Sequence, residues 1–522
     1  MSTTYQNIII GGGHNGLVCA AYLARSGQSV LVLEAAEDIG GAARTRELAP
    51  GAKISSGAHL LHAMPEDLIR DLKLSQHGLV MASKNIKTLA LNTQTEAGTI
   101  VFSGNTVSGK NLSASDIEAY TRFNKDMRRF AKTLRPVFNK IAPRIVSSSW
   151  SEVLELMGLG FAIRRLKRFY MREFLRIIGM NFYDLLDEYF DSPELKATLA
   201  MDALWGSEWG PRAMGSVLTY LYRLAGYERN GSMGLALPEG GMGMLSESIA
   251  KSAKASGATI STNTRVKRIL IEDDKAIGVE LDSGEQLFAD AIISNADPKH
   301  TFQKLVNIDH LDTGFVRQIK NLRSNGRAAK LHLVLKGLPT FTGVDSTDNG
   351  SRLIIAPTMD DIELAYNPCK YHKYPSNPVL EIVIPSVSDP SLVTDGQHVL
   401  SAVVQYLPYD DSPDEDANRA AFLETTIVLL ETYAPGIREL ISHAELLTPR
   451  DIEREFGNTG GHWHHVALVF EYFLFNRPTP SLSRHSSPIA GLYLCGAGCH
   501  PGGNVMGIAG RNAAKQILKG GQ

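Results

Sequence analysis

The 522-residue sequence is poor in cysteine, in net charge and in long apolar runs. Its four cysteines, Cys19, Cys369, Cys495 and Cys499, form no Cys-x-x-Cys pair and no disulfide framework, which points to a reducing compartment. A formal net charge of −2, with 21% charged residues, gives no overall field for nucleic acid or an acidic partner. No apolar run reaches the ~18 residues of a spanning helix. The polar start, Met1 to Gln6, runs straight into a strand and leaves no room for a signal or transit peptide. These absences predict a cytoplasmic protein, soluble or at most peripheral to a membrane. The length predicts two or three domains with a large core.

Glycine is abundant, at 47 residues, and the chain is organised around the first of its glycine loops. Ile8 to Ile10 is a short apolar run that ends in Gly11-Gly12-Gly13-His14-Asn15-Gly16. Leu17 to Ala24 reads as a helix stopped by Gly27, and Val30 to Leu33 reads as a second buried strand closed by Glu34. Gly11 permits the tight turn, Gly13 lets backbone approach a pyrophosphate, and Gly16 lets helix and strand pack closely. Glu34 follows Gly16 by 18 positions, close to the ~20 expected of an acid that binds a ribose hydroxyl. An acid there, in place of an arginine, argues against a 2′-phosphate, so the ligand is expected to be FAD or NAD.

Gly40-Gly41 and Arg44 follow, removing side chains where backbone must lie close to something and placing a fixed positive charge beside it. A glycine pair and an arginine soon after the acid resemble the FAD-binding fold shared by amine oxidases and carotenoid desaturases. Within it, His14-Asn15-Gly16-Leu17 and the segment Ser55 to His62 resemble phytoene-desaturase-type proteins, in particular the pyridine nucleotide-disulfide oxidoreductase domain-containing protein 2 family. The resemblance implies FAD as cofactor, with Gly40, Gly41 and Arg44 along the flavin diphosphate and ring, and His14 and Asn15 in the phosphate loop.

Residues 65 to 115 carry turn signals and strand-like runs, and residues 116 to 225 read as helices. Phe161 to Arg176 carries six basic residues and one acid among large apolar side chains. It reads either as a basic amphipathic helix against an anionic membrane, or as a helix with one buried and one solvated face. By resemblance, Leu237 to Leu245 marks the return from a substrate domain, and backbone at Val266 meets the adenine. Ala329 to Leu335 alternates with period two; Lys330 and His332 on one face could line a cavity, but a solvent-facing surface is expected. Further strands are predicted at Val379 to Ile384 and His398 to Tyr406, with a helix over Asn418 to Tyr433.

Near the C-terminus, Gly460-Gly461-His462-Trp463-His464-His465 packs three histidines into four positions. No Asp, Glu or Cys stands at usual ligand spacing, and His-x-His-His on a strand would point to both faces, so no metal is expected. The resemblance places this segment on the substrate side of the flavin, which makes His462 and His464, with Lys330, the candidates for catalysis. Gly491 to Gly498 is a strand ending in glycines, and the loop from Cys499 runs into a closing helix. By resemblance, Gly498, Val505 and Met506 meet the flavin. Asn504 stands where a third glycine is expected, which would make the loop less open. Cys499 could be redox-active, but a small apolar filler is expected.

Disulfide reduction is excluded on the residues: there is no redox cysteine pair and no second nucleotide fingerprint. The expected fold is α/β, a Rossmann-like FAD domain of the glutathione-reductase and amine-oxidase type (1–75, 232–300 and 450–522) with an inserted α+β substrate domain (76–231 and 301–449). The expected activity is an FAD-dependent dehydrogenase or desaturase moving hydride from a hydrophobic substrate to flavin N5. The alternatives are an amine oxidase, with Trp463 and Tyr472 as a thin aromatic cage, and an FAD-binding partner protein with little turnover. Noncovalent flavin is expected; a covalent one would direct attention to His59, His62 or Cys499. The oligomeric state stays open.

Overall fold

The computed structural model describes residues 5–93, 99–143, 150–204, 206–229, 234–394 and 396–520. The polar start before Tyr5 and the expected boundary at 232 lie outside these residues.

The first sheet grows from two short runs that have no polar face. Strand β1 (Tyr5–Ile10) and strand β2 (Val30–Leu33) pair in parallel, joined by helix α1 (His14–Arg25). Ile8, Ile9 and the whole of β2 are buried because the sheet is covered on both sides. Thr259–Ser261 extends the parallel sheet beyond β2. On the other side, β1 pairs with the end of Gln286–Ser294, and that strand pairs with Leu492–Leu494. An antiparallel meander of Val266–Glu272, Lys275–Leu281 and the start of Gln286–Ser294 completes the seven strands.

One sheet is therefore assembled from three distant pieces of chain: residues 5–33, 259–294 and 492–494. The closing helix Ile508–Gly520 locks them, packing on α1 so tightly that a Cβ at Gly510 would stand 2.0 Å from the Asn15 carbonyl oxygen.

The second sheet has eight strands, ordered Ile441–Leu447, Ala328–Leu335, His398–Gln405, Val379–Val383, Arg352–Ile355, Thr88–Ala90, Ile100–Ser103 and Thr106–Ser108. Ala328–Leu335, Val379–Val383, His398–Gln405 and helix Glu415–Tyr433 stand where strands and a helix are predicted, whereas Ile441–Leu447, Arg352–Ile355 and Thr106–Ser108 are strands that the sequence reading does not place. A helical layer built around Phe123, Phe130, Phe138, Phe182 and Tyr222 packs beside it.

Two sequence expectations are corrected here. Ala328–Leu335 is buried at every position, including Lys330 and His332. Ala329, Leu331, Leu333 and Leu335 face the core under Glu415–Tyr433. The alternate face meets no solvent, because it is laid against the 52–59 segment: Val334 clusters with Ala52 and Ile54, and His332 Nε2 bonds the Ser56 carbonyl at 3.1 Å. Phe161 to Arg176 is two helices, Trp150–Arg164 and Lys167–Ile177, broken at Lys167 where φ is +65°.

Candidate functional site

Two adjoining hollows meet at the seam of the two sheets. The first is a groove of about 1120 Å³ over the C-terminal end of β1. Gly11, Gly13, His14, Asn15, Glu34, Gly40, Gly41, Arg44 and Val266 all line it. Gly16 lies beneath: a Cβ there would stand 2.3 Å from the Gly11 carbonyl oxygen, which is the close helix–strand contact its position predicts.

The groove is suited to a dinucleotide. Helix α1 begins with no side-chain cap and no acid in its first turn, so backbone N–H groups at its N-terminus are offered to a diphosphate. A Cβ at Gly13 would approach Asn295 Nδ2 to 2.8 Å and fill that approach. The Glu34 carboxylate is fixed at the end of β2 by accepting from the Gly12 N–H at 2.7 Å and the Ala36 N–H at 2.9 Å. Arg44 pairs with Glu455, a second groove residue, and its guanidinium lies over the Phe456 ring. His465 also lines the groove; its buried Nδ1 has no hydrogen-bond partner among the described residues, and burial lowers its pKa to about 4. That atom is an orphan that a bound ligand would satisfy.

The second hollow, about 850 Å³, joins the first at His14, Ala42, Phe456, Trp463 and Ala497, which line both. Ala43, Ala58, Leu60, Val403, Ile452 and Val505 make its walls largely apolar. Its polar groups are gathered at one end. Lys330 Nζ lies 2.5 Å from His59 Nδ1, and His59 Nε2 lies 3.1 Å from Glu381 Oε1. Glu381 Oε2 accepts from Arg352 Nε at 2.8 Å and Nη2 at 2.5 Å, and Arg352 also pairs with Asp202 at 2.8 Å. Arg223 closes the cluster, 3.2 Å from Asp202.

The electrostatics fix the protons. Burial would raise the Glu381 carboxyl, but Arg352, the His59 hydrogen bond and Arg223 together hold it well below the usual carboxylate range. An ionised Glu381 takes the His59 Nε2–H, so Nδ1 is the acceptor and Lys330 donates to it. Burial, and then the nearby Lys330, lowers His59 to about 4. Burial also holds Lys330 well below its ordinary value, against the opposing pull of Glu381.

The remaining candidates are distributed unevenly. His464 lines the cavity, whereas His462 sits behind it, its Nδ1 accepting from the His464 N–H at 3.2 Å. The histidine run is a turn and not a strand, because Gly460, Gly461 and His465 all have positive φ. No group of metal-ligating side chains is present among the described residues. Gly498 and Met506 lie outside both linings; a Cβ at Gly498 would press on the Pro298 ring at 2.8 Å. Tyr472 is likewise absent from the cavity wall, so the cage expected with Trp463 does not form. Asn504 lines the cavity at φ +152°, with its Nδ2 held by His62 Nε2 at 3.0 Å and its carbonyl accepting from His14 at 3.1 Å. Cys499 is a buried thiol whose pKa burial pushes up to about 12, which suits the filler role. His59 and His62 carry no catalytic motif in the sequence, and the signal for Glu381 and Arg352 is a lone charge, within the apolar run Val379–Val383 and at the head of Arg352–Ile355.

Comparison with known proteins gives one consistent answer. The family described as flavin containing amine oxidoreductase matches residues 16–518. A rat protein, pyridine nucleotide-disulfide oxidoreductase domain-containing protein 2, is 32% identical over 99% of this chain and 93% of its own length. A limonene dehydrogenase component from Castellaniella defragrans is 26% identical, over 98% of this chain and 94% of its own. Among solved structures, putrescine oxidase bound to putrescine has a TM-score of 0.62 at 14% identity, with both chains covered completely. An oxidoreductase from Methanosarcina mazei has a TM-score of 0.60 at 19% identity, over 98% of this chain and 99% of that one.

Proposed function

The chain belongs to the flavin-containing amine oxidoreductase family, an FAD-dependent oxidoreductase family, and on that premise we propose that it dehydrogenates a largely apolar organic substrate. The observation that carries this reading is the buried Lys330–His59–Glu381 chain at one end of an apolar cavity. Bound FAD supplies the two-electron acceptor for hydride leaving a substrate carbon. The groove from Val266 to Arg44 would hold it.

Removing a hydride from carbon leaves a proton to be taken up. Lys330 is the group for that task. A neutral amine that donates one N–H to His59 keeps a lone pair, and Lys330 borders the cavity. His59 holds the amine in position, and Glu381 fixes the tautomer of His59. The apolar walls exclude water and favour hydrocarbon over polar substrate. His464 and His62 complete the polar end and orient a substrate group there.

Oxidation of an amine is the second reading, favoured by the family to which the chain belongs and by the aromatic walls Trp463 and Phe456. Against it, the cavity carboxylate Glu381 is already committed to Arg352 and His59, leaving no carboxylate among the described lining residues for an ammonium group.

The test begins with the visible spectrum of the purified protein and identification of the flavin released on denaturation. Anaerobic bleaching is then screened with apolar alkenes and alcohols on one side and amines on the other. Bleaching by apolar compounds supports dehydrogenation. Bleaching by amines alone replaces it with the second reading, and a flavin that no compound bleaches leaves a partner-binding role.

A further inference from the structure

We propose that helices Trp150–Arg164 and Lys167–Ile177 form a docking face for an anionic lipid bilayer. At ~100° per residue, Arg168, Phe169, Arg172, Leu175 and Arg176 share roughly a third of the circumference of the second helix. That arc is opposite Tyr170, Phe174 and Ile177, which face the helical core. The arc is exposed, with Phe169 at 72% and Leu175 at 57%. On the first helix, Met157 and Phe161 lie one turn apart at 62% and 64% exposure, with Arg165 one turn further on. Four large apolar side chains therefore stand in solvent within a stretch of 19 residues, 157 to 175. Most large apolar side chains elsewhere are buried, and a cluster of exposed ones marks a contact surface.

The charges choose the occupant. Arg164, Arg165, Lys167, Arg168 and Arg172 are exposed, and none makes an ion pair among the described residues. Arg176 is the exception, shared between Glu173 at 2.6 Å and Glu188 at 2.7 Å. A second copy of the chain would set these cations against one another, which disfavours self-association through this face. An anionic bilayer fits both features together: guanidinium and ammonium groups among the headgroups, and Phe, Leu and Met at the acyl boundary. No helix among the described residues is long and apolar enough to cross a membrane, so the face would rest on the surface. The assignment is independent of the substrate reading.

The experiment is co-sedimentation of the whole flavin-loaded protein with vesicles of phosphatidylcholine alone or with about 30 mol% phosphatidylglycerol. Binding is expected only to the anionic vesicles, falling at least tenfold as salt rises from about 50 to about 500 mM. Arg168→Glu with Arg172→Glu should abolish it, and Phe161→Ser with Phe169→Ser should weaken it several-fold. These positions are exposed, so the flavin spectrum and circular dichroism should be unchanged. No binding at low salt overturns the proposal, as does binding that survives both double variants. A dimer in solution that the charge reversals dissolve, without vesicle binding, assigns the face to a second copy and also overturns it.

Discussion

Lys330 Nζ and His59 Nδ1 stand 2.5 Å apart although 271 residues separate them in the chain. Lys330 comes from the middle of a strand in the second sheet, and His59 from the loop that follows strand Ala52–Ser55. The contact stitches the second sheet to the 52–62 segment in the wall of the apolar cavity.

Replacing this amine with an apolar isostere tests its role. Lys330→Met is expected to slow anaerobic flavin reduction by ~100-fold or more while leaving flavin content unchanged. A variant that reduces its flavin at the parental rate removes Lys330 from the mechanism.

Glu381→Gln should act first on stability. It leaves Arg352 and Arg223 with Asp202 as their remaining carboxylate partner in the described cluster. Breaking a buried charge network this way costs about 3–5 kcal/mol, visible as a lowered denaturation midpoint. An unchanged midpoint would mean that water already reaches the cluster.

Cofactor affinity should respond to the groove. Glu34→Ala removes the acceptor for the Gly12 and Ala36 N–H groups at the end of β2, and should weaken FAD binding ~10- to 100-fold. Gly13→Ala should reduce flavin content further by filling the phosphate approach. Titration of the deflavinated variants with FAD gives both values; parental affinity in both would move the nucleotide elsewhere.

Acid should destabilise the fold through its buried histidines. Burial lowers His14, His59 and His465 to about 4 and His485 to about 3, against about 6.5 in an unfolded chain. The unfolded chain binds the extra protons, so this stabilisation is fully present above about pH 6.5 and is lost as pH falls toward 4. Each histidine contributes on the order of 1–3 kcal/mol. Thermal midpoints flat from pH 7 to 4.5 would contradict the burial.

The thiols should be silent. All four cysteines are buried and unpaired, and burial raises Cys369 to about 11 and Cys499 to about 12. A thiol-disulfide reagent should modify none in the native protein and all four after denaturation. Rapid reaction of one native thiol would reopen a redox role for cysteine.

The lining of the candidate cofactor groove was legible in the sequence because its requirements are local. A strand, a glycine turn, a helix start and an acid at fixed spacing follow one another within residues 7–34, and the structure gathers them with Arg44 and Val266 into one lining. The cavity was not legible in the same way. His59, Lys330, Arg352 and Glu381 meet only when strands from the second sheet are laid against the 52–62 segment. Period-two alternation at Ala328–Leu335 marked a polar face correctly, but it could not say that the face would be covered by protein. The histidine turn was obscured for a related reason: positive φ at Gly460, Gly461 and His465 breaks the regular geometry that spacing arguments assume.

The sheet beneath the groove draws strands from residues 5–33, 259–294 and 492–494, and helix Ile508–Gly520 packs on α1. During synthesis, β1 and its neighbour β2 are made together, but the strand on the other side of β1, Gln286–Ser294, is made far later, and Leu492–Leu494 later still. A nascent chain therefore carries β1 with one unpaired edge until Gln286–Ser294 has been made. That edge needs protection from premature pairing until the sheet closes.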